Sequence, residues 1–392
     1  MRVPLASDGP PPSPDRGGPP VRSRARARRP HRRRLALALP AALTVLACGC
    51  GAARTTTTAA PHGSAATASI GAGLTGPATL RASVYAHGPA NAAAFALDAH
   101  GRLWITSAGL STHAHDGVYL VASPGARAVK VIGGLEDPIG IVWLRGVLYV
   151  ASVGRVDAYS GFDGALFATH RRVLAGPLAG AENNTLAVAP DGRLVMGVSA
   201  TCDHCTPASR WSGSIVSFRA DGSDLRLYAE RIRAPVGLAF LPGSARLIVS
   251  MNQRDDLGAA TPGDWLAEVA ESENWRFPDC YAVGTSACSG VPRPLAELDP
   301  HAAVGPVAIV TGQLGAEVGT AAIVAEWSTG RVRSVALNAS AARAAGHVGT
   351  LLAGMHNPLA LIVAANGSLL VGDWSSGTIY RIAARPASVP AA

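Results

Sequence analysis

Short runs of Val, Ile and Leu recur along this chain, each entered from a Gly-type turn and followed by a second run that Gly restarts. Near the C-terminus the unit reads Asn366-Gly367, then SLLVGDW (368–374), SSG (375–377) and TIYRI (378–382). TAAIVAEWSTGRVRSVAL (320–337) has the same layout, with Trp327 and Gly330 where Trp374 and Gly377 stand. Gly101-RLWIT, Gly146-VLYVASVGRVDAY, Asp191-Gly192-RLVMG and ARLIVS (245–250) bring the copies to six, spaced about 45 to 75 residues apart. Several are preceded by a Pro-led apolar run: PIGIV (138–142), PVGLAF (235–240), PVAIV (306–310) and PLALIV (358–363). Each unit therefore offers two or three strands bounded by Gly, Pro, Asp and Ser. Helical periodicity is weak throughout, with its best trace in DWLAEVAES (264–272). A four-stranded blade takes roughly 45 residues, so six units predict an all-β chain folded as a six-bladed β-propeller. A β-sandwich is the alternative, but it does not require near-identical units at this period.

The spacing is uneven in one place. Between ARLIVS and TAAIVAE it stretches to about 75 residues, and 251–290 (MNQRDDLGAATPGDWLAEVAESENWRFPDCYAVGTSACSG) reads as a polar insertion in one blade. Loops carried on a rigid scaffold are where such a fold builds a site.

The N-terminal part divides differently. Arg22 to Arg34 form a basic stretch, followed by LALALPAALTVLA (35–47), an apolar run of 13 residues. That is too short to span a bilayer and suits a signal peptide. It ends at Cys48, where a bacterial lipoprotein carries its acylated cysteine, although Leu46 stands where a smaller residue is usual. The expected organisation is an export signal over 1–47, a disordered Thr/Ala/Gly tether over 48–78, the propeller over 79–385 and a tail over 386–392. The membrane would be met through the lipid anchor only, on the outer face of the bacterial cytoplasmic membrane, with ordinary secretion as the alternative.

Charge adds one exclusion. The formal net charge is +8, yet residues 1–47 hold ten Arg and two Asp and account for all of it. The remainder is neutral and shows no basic stripe, so nucleic acid is not an expected partner. Four cysteines follow the leader, as Cys202-x-x-Cys205 and Cys280-x7-Cys288. In an exported chain two local disulfides are the simplest reading; a zinc site or a redox dithiol is the alternative. His113-x-His115-Asp116 superficially resembles a metal-ligand set but lies in a Gly-flanked loop.

Four successive phrases carry a family resemblance: NTLAVAPDGRLVMGVSATCDHC (184–205), GSIVSFRADGSDLRLYAERIRAPVGLAF (213–240), NQRDDLGAATPGDWL (252–266) and NWRFPDCY (274–281). LDPHAAVGPVAIV (298–310) and GSLLVGDWSSGTIYRI (367–382) extend it. In order and spacing they resemble the glucose/sorbosone dehydrogenase family, soluble six-bladed propellers that use pyrroloquinoline quinone (PQQ) and calcium, and are closer to its sorbosone-type members. The resemblance implies hydride transfer from a sugar or polyol carbon to the quinone, with calcium polarising the quinone carbonyls and an imidazole taking the hydroxyl proton.

The resemblance also assigns residues. Where the family carries its catalytic His, this chain has Ala181, and neighbouring Glu182 is the substitute base, although alternation along a strand would turn it to the other side. Where glucose-type members have Arg-Asn before the Pro, this chain has Arg233 and Ala234, so Arg233 is the candidate catalytic and quinone-carboxylate partner. Calcium is expected at the NQRDDLG loop, from the carbonyls near Gln253 and Arg254 and the carboxylates of Asp255 and Asp256. Arg254 and His301 are further cofactor-contact candidates. Two functions follow: an extracytoplasmic PQQ-dependent sugar dehydrogenase, or a catalytically degraded propeller that binds a sugar, glycan or protein partner without turnover.

Overall fold

In the computed structural model, residues 67–386 are described apart from 177, 179–181, 339 and 345. The expected leader, Cys48, residues 49–66 of the tether and the tail from 387 lie outside the described residues, as does Ala181. Six antiparallel sheets of at least four strands form the blades of a β-propeller. Their innermost strands are Ala92–Leu97, Gly140–Leu144, Asn183–Val188, Ala234–Phe240, Val304–Thr311 and Pro358–Val363. Each packs against the next, and the last packs against the first, closing a ring around a central channel.

The repeated phrase of the sequence is the second and third strand of each blade. Second strands such as Leu103–Ser107, Leu194–Val198 and Leu369–Asp373 are buried at every position. They lie between two neighbouring blades, so both faces meet protein, and the sequence is continuously apolar where a one-sided sheet would alternate. The core is accordingly divided into six wedges, one at each junction between blades. The outermost strands differ: Phe167–Leu174 is mostly exposed.

The Pro-led runs are innermost strands, and their glycines let adjacent blades approach closely. A Cβ on Gly237 would stand 2.6 Å from the carbonyl oxygen of Gly305 in the next blade. At the Asp191-Gly192 turn the reason for Gly is conformational, a φ of +85°.

Closure of the ring uses a distant segment. Leu80–His87 is the outer strand of the sixth blade, pairing antiparallel with Thr378–Ala384. The strand that precedes it corrects the expected boundary. Residues 67–77 do not form a tether: Thr67–Gly71 and Leu74–Pro77 make a hairpin on the outside of the fifth blade. Ile70 and Leu74 are buried in the wedge between the fifth and sixth blades, which gives this small-residue stretch the apolar anchors it needs.

The trace of helix at 264–272 is also corrected. Gly263–Val269 is a β-strand, buried at all but its first position, and is the third strand of the fourth blade. Its alternating apolar residues fill the wedges on both sides, and that burial outweighs the local propensity of Ala, Leu and Glu. The insertion is thus a blade strand flanked by two loops. The second loop adds Glu273–Asn274 to the third blade, parallel to Arg226–Glu230. Among the described residues no helix is long and apolar enough to cross a membrane.

Candidate functional site

All six blades converge on one end of the channel. The mouth holds a cavity of about 250 Å³ whose wall is mainly apolar and includes Leu110, Ile139, Leu359, Trp327 and Trp374. The two indoles meet edge to face with centroids 5.6 Å apart, so the repeated Trp of the fifth and sixth units lines the mouth. The polar groups in the wall are Glu182, Asn184 and Asn252. The opposite end of the channel is lined by such residues as Leu97, Trp143 and Phe240, with Thr185 as the polar side chain among them.

Glu182 stands immediately before the innermost strand of the third blade and faces the mouth together with Asn184. Residues two apart along a strand share a side, so Glu182 and Asn184 face the mouth together. This corrects the expectation that Glu182 would point away from the site. The residue keeps surface exposed to the open channel, yet protein crowds its carboxyl from the sides. That burial pushes its pKa up, opposed by the Arg233 guanidinium and the Ser199 hydroxyl. Asn184 Nδ2 donates to Ser199 Oγ at 2.8 Å, which turns Asn184 Oδ1 away. Asn184 is 1 % exposed, and neither its Oδ1 nor that of Asn252 has a hydrogen-bond partner.

Arg233 and the 252–256 loop lie beside this mouth but are engaged with each other's neighbours. Arg233 Nη2 donates to Asp203 Oδ1 at 2.5 Å and Nη1 to the Asn252 carbonyl at 3.3 Å. The same Asp203 oxygen accepts the Asp255 N–H at 3.0 Å. Arg254 forms a bidentate fork with Asp256, both contacts 2.6 Å, and lies over the Tyr281 ring at 4.7 Å. Asp255 accepts from His301 Nδ1 at 2.7 Å, and His301 Nε2 reaches the Gly258 carbonyl at 2.9 Å. Both neighbours of the ring are acceptors, so the arrangement suits the doubly protonated imidazolium. The Gly258 carbonyl and the Asp255 carboxylate hold the His301 pKa above its ordinary value. His301, Asp255 and Asp264 border a side cup of about 260 Å³ that shares Asn252 with the mouth. Asp264 is buried and accepts the N–H groups of Gln253 at 2.8 Å and Val304 at 3.3 Å, tying the loop to the fifth blade. Its burial pushes its pKa up to about 6 despite those two bonds.

The two disulfides form as Cys202–Cys205 and Cys280–Cys288. They brace this side of the mouth: the first holds Asp203 against Arg233, and the second stands next to Tyr281, which receives both Arg254 and the edge of His204. His113 and Asp116 do come together, joined by Asp137 from a later loop, with His113 Nδ1 2.9 Å from Asp116 and 3.5 Å from Asp137. His115 is not part of the group. Asp116 already accepts the N–H groups of Gly109 and Asp137, both at 2.8 Å, and Asp137 accepts that of Leu110. The cluster staples the loop that presents Leu110 to the mouth.

Several of these residues were not legible beforehand. Asp203, Asp137, Asn184 and Asn252 are ordinary polar residues in sequence, and only the fold brings them to one mouth. Trp327 and Trp374 did carry a signal, since the same indole recurs at the same place in two units.

A scan against family models finds no match, and no curated protein matches the chain. Solved structures do. The PQQ-bound aldose sugar dehydrogenase of Streptomyces coelicolor aligns over 79 % of this chain and 100 % of its own, at 18 % identity and a TM-score of 0.62. A Trichoderma reesei protein of carbohydrate-active enzyme family AA12 aligns over 84 % of this chain and 100 % of its own, at 16 % identity and a TM-score of 0.66. The holo PQQ domain of pyranose dehydrogenase from Coprinopsis cinerea aligns over 79 % and 97 %, at 14 % identity and a TM-score of 0.62. The fold is that of the soluble sugar dehydrogenase propellers. At these identities the likeness concerns the fold, and the chemistry has to be read from the mouth itself.

PQQ bears three carboxylates and needs cations around it. Among the described residues the wall of the mouth offers one carboxylate, two carboxamides and no cation. The two nearest arginines are neutralised by Asp203 and Asp256. Nor do the carboxylates of Asp255 and Asp256 converge on a calcium position, because one is turned to His301 and the other to Arg254. The side chains described at the mouth therefore supply neither a free cation for the quinone carboxylates nor a converging pair of carboxylates for calcium.

Proposed function

We propose that this protein is a binding propeller on the sugar dehydrogenase scaffold, taking a small sugar or polyol at its channel mouth without quinone-linked turnover. One observation carries the reading. The cavity to which all six blades contribute presents two indoles, a carboxyl and two carboxamides, and among the described residues it has no free cation for a quinone carboxylate. Aromatic faces beside a few convergent polar groups suit a sugar, whose C–H faces pack on rings while its hydroxyls hydrogen-bond. About 250 Å³ is at the small end of ligand sites and suits a single ring.

The PQQ-dependent dehydrogenase is the competing reading, supported by the likeness to PQQ-bound propellers and by the presence of Arg233. Mixing the protein with calcium and PQQ, recording a binding isotherm and assaying dye reduction with a panel of aldoses separates the two. The expected result is no saturable PQQ binding and no dye reduction, with sugar binding detected by calorimetry. Tight PQQ binding accompanied by turnover would overturn the proposal. Export through the 22–47 segment, with acylation at Cys48, completes the reading; radiolabelled palmitate incorporated by the wild type and lost in Cys48→Ala is the test.

A further inference from the structure

The polar groups of the mouth share a sign. Glu182 offers a carboxylate, and Asn184 and Asn252 each offer an amide oxygen without a partner. For Asn184 the oxygen is deeply enclosed, the residue being 1 % exposed. Its orientation is fixed because Nδ2 is committed to Ser199. A buried acceptor left without a donor costs on the order of 1–3 kcal/mol, so a site with such acceptors selects a ligand that brings donors.

Charge points the same way. Arg233 is matched by Asp203 and His301 by Asp255, whereas Glu182 has no ion-pair partner among the described residues. Burial is the main cause of the raised Glu182 pKa; the Arg233 charge lowers it and the Asp137 charge raises it. The faces of Trp327 and Trp374 are electron-rich and attract a cation placed over them. Nε1–H of Trp327 has no partner and suits a ligand hydroxyl, and the Asn252 amide nitrogen is a second donor in the wall.

We propose that the mouth selects a ligand bearing a protonated amine on a small ring, an amino sugar in preference to a neutral or acidic one. An ammonium group carries three donors and no acceptor, which matches Glu182 and the two free amide oxygens. The inference rests on the reading of the mouth as a sugar site and adds the charge of the ligand to it.

The test is calorimetry on the full chain at pH 6.5 with glucosamine, N-acetylglucosamine, glucose and glucuronate, and in parallel with cyclohexylammonium and cyclohexanol. Glucosamine is expected to bind about tenfold or more tightly than glucose, the size of one charge-assisted hydrogen bond. N-acetylation should erase the gain, and glucuronate should bind least. Glu182→Gln should bring glucosamine down to the level of glucose, and the wild-type panel decides the matter even if that variant misfolds. Equal binding of glucose and glucosamine overturns the charge preference and leaves the sugar reading standing. Binding of cyclohexylammonium over cyclohexanol, with no sugar bound, supports the cation preference and removes the sugar reading. No discrimination in either pair overturns the proposal.

Discussion

Single side chains carry two of the consequences. Asp264 ties the 253 loop to the fifth blade through two backbone N–H groups. Its folded pKa of about 6 lies above the ordinary 3.8 of an Asp, because burial disfavours the charge more than the two bonds favour it. The folded state therefore binds this proton more tightly than the unfolded chain does. The contribution of Asp264 to stability is greatest below about pH 4 and falls as pH rises through 6, by on the order of 3 kcal/mol. Comparing urea unfolding of wild type and Asp264→Asn from pH 4 to 7 should show this slope in the wild type and its absence in the variant. Gly237 is set by space. A methyl there meets the Gly305 carbonyl and Ser250 Oγ, both at 2.6 Å. Ser250 Oγ itself accepts the Gly237 N–H and donates to the Gly305 carbonyl. Gly237→Ala should cost about 1–3 kcal/mol, read as a lower urea midpoint.

At the scale of elements, the loop closed by Cys202–Cys205 acts as a clamp. Asp203 holds both the Arg233 guanidinium and the Asp255 N–H, and Asp255 in turn holds His301. Asp203→Ala should release this chain of contacts at one side of the mouth while leaving the interblade wedges intact. Hydrogen exchange should then quicken at the Asp255 amide with little change in the melting temperature. Reduction of the disulfide should do the same to a smaller degree, because the carboxylate remains but its loop is freed. Unchanged exchange at Asp255 in both cases would show that the 253–256 loop holds itself.

At the scale of the molecule, the ring is closed by strands almost three hundred positions apart. Leu80–His87 completes the sixth blade and buries Leu80 and Ala86. Without it the third strand of that blade presents an unpaired edge and the wedges beside it open. A chain beginning at residue 92 should lose cooperative thermal unfolding and expose apolar surface to a dye. A chain beginning at residue 67 should melt as the full protein does. A start at residue 79 should fall between them, because Ile70 and Leu74 no longer fill their wedge.

The sequence by itself determined the architecture. Six copies of a turn, an apolar run and a Gly restart call for a repeating array with strands buried on both faces, which a β-sandwich does not require, and the near-absence of helical period removes helical rivals. It also suggested the two local cysteine pairs by their short spacing, while the structure decided that they are disulfides. Tertiary structure decided the ends of the domain, because residues 67–77 earn their place through two apolar side chains whose partners come from the far end of the chain. It decided the helical trace at 264–272, where burial in two wedges overrode propensity. Above all it decided the mouth. Whether Glu182 faces the channel depends on strand phase, and whether Arg233 is free depends on Asp203, thirty residues away. Side-chain direction and charge pairing are properties of the closed ring, and no linear pattern records them.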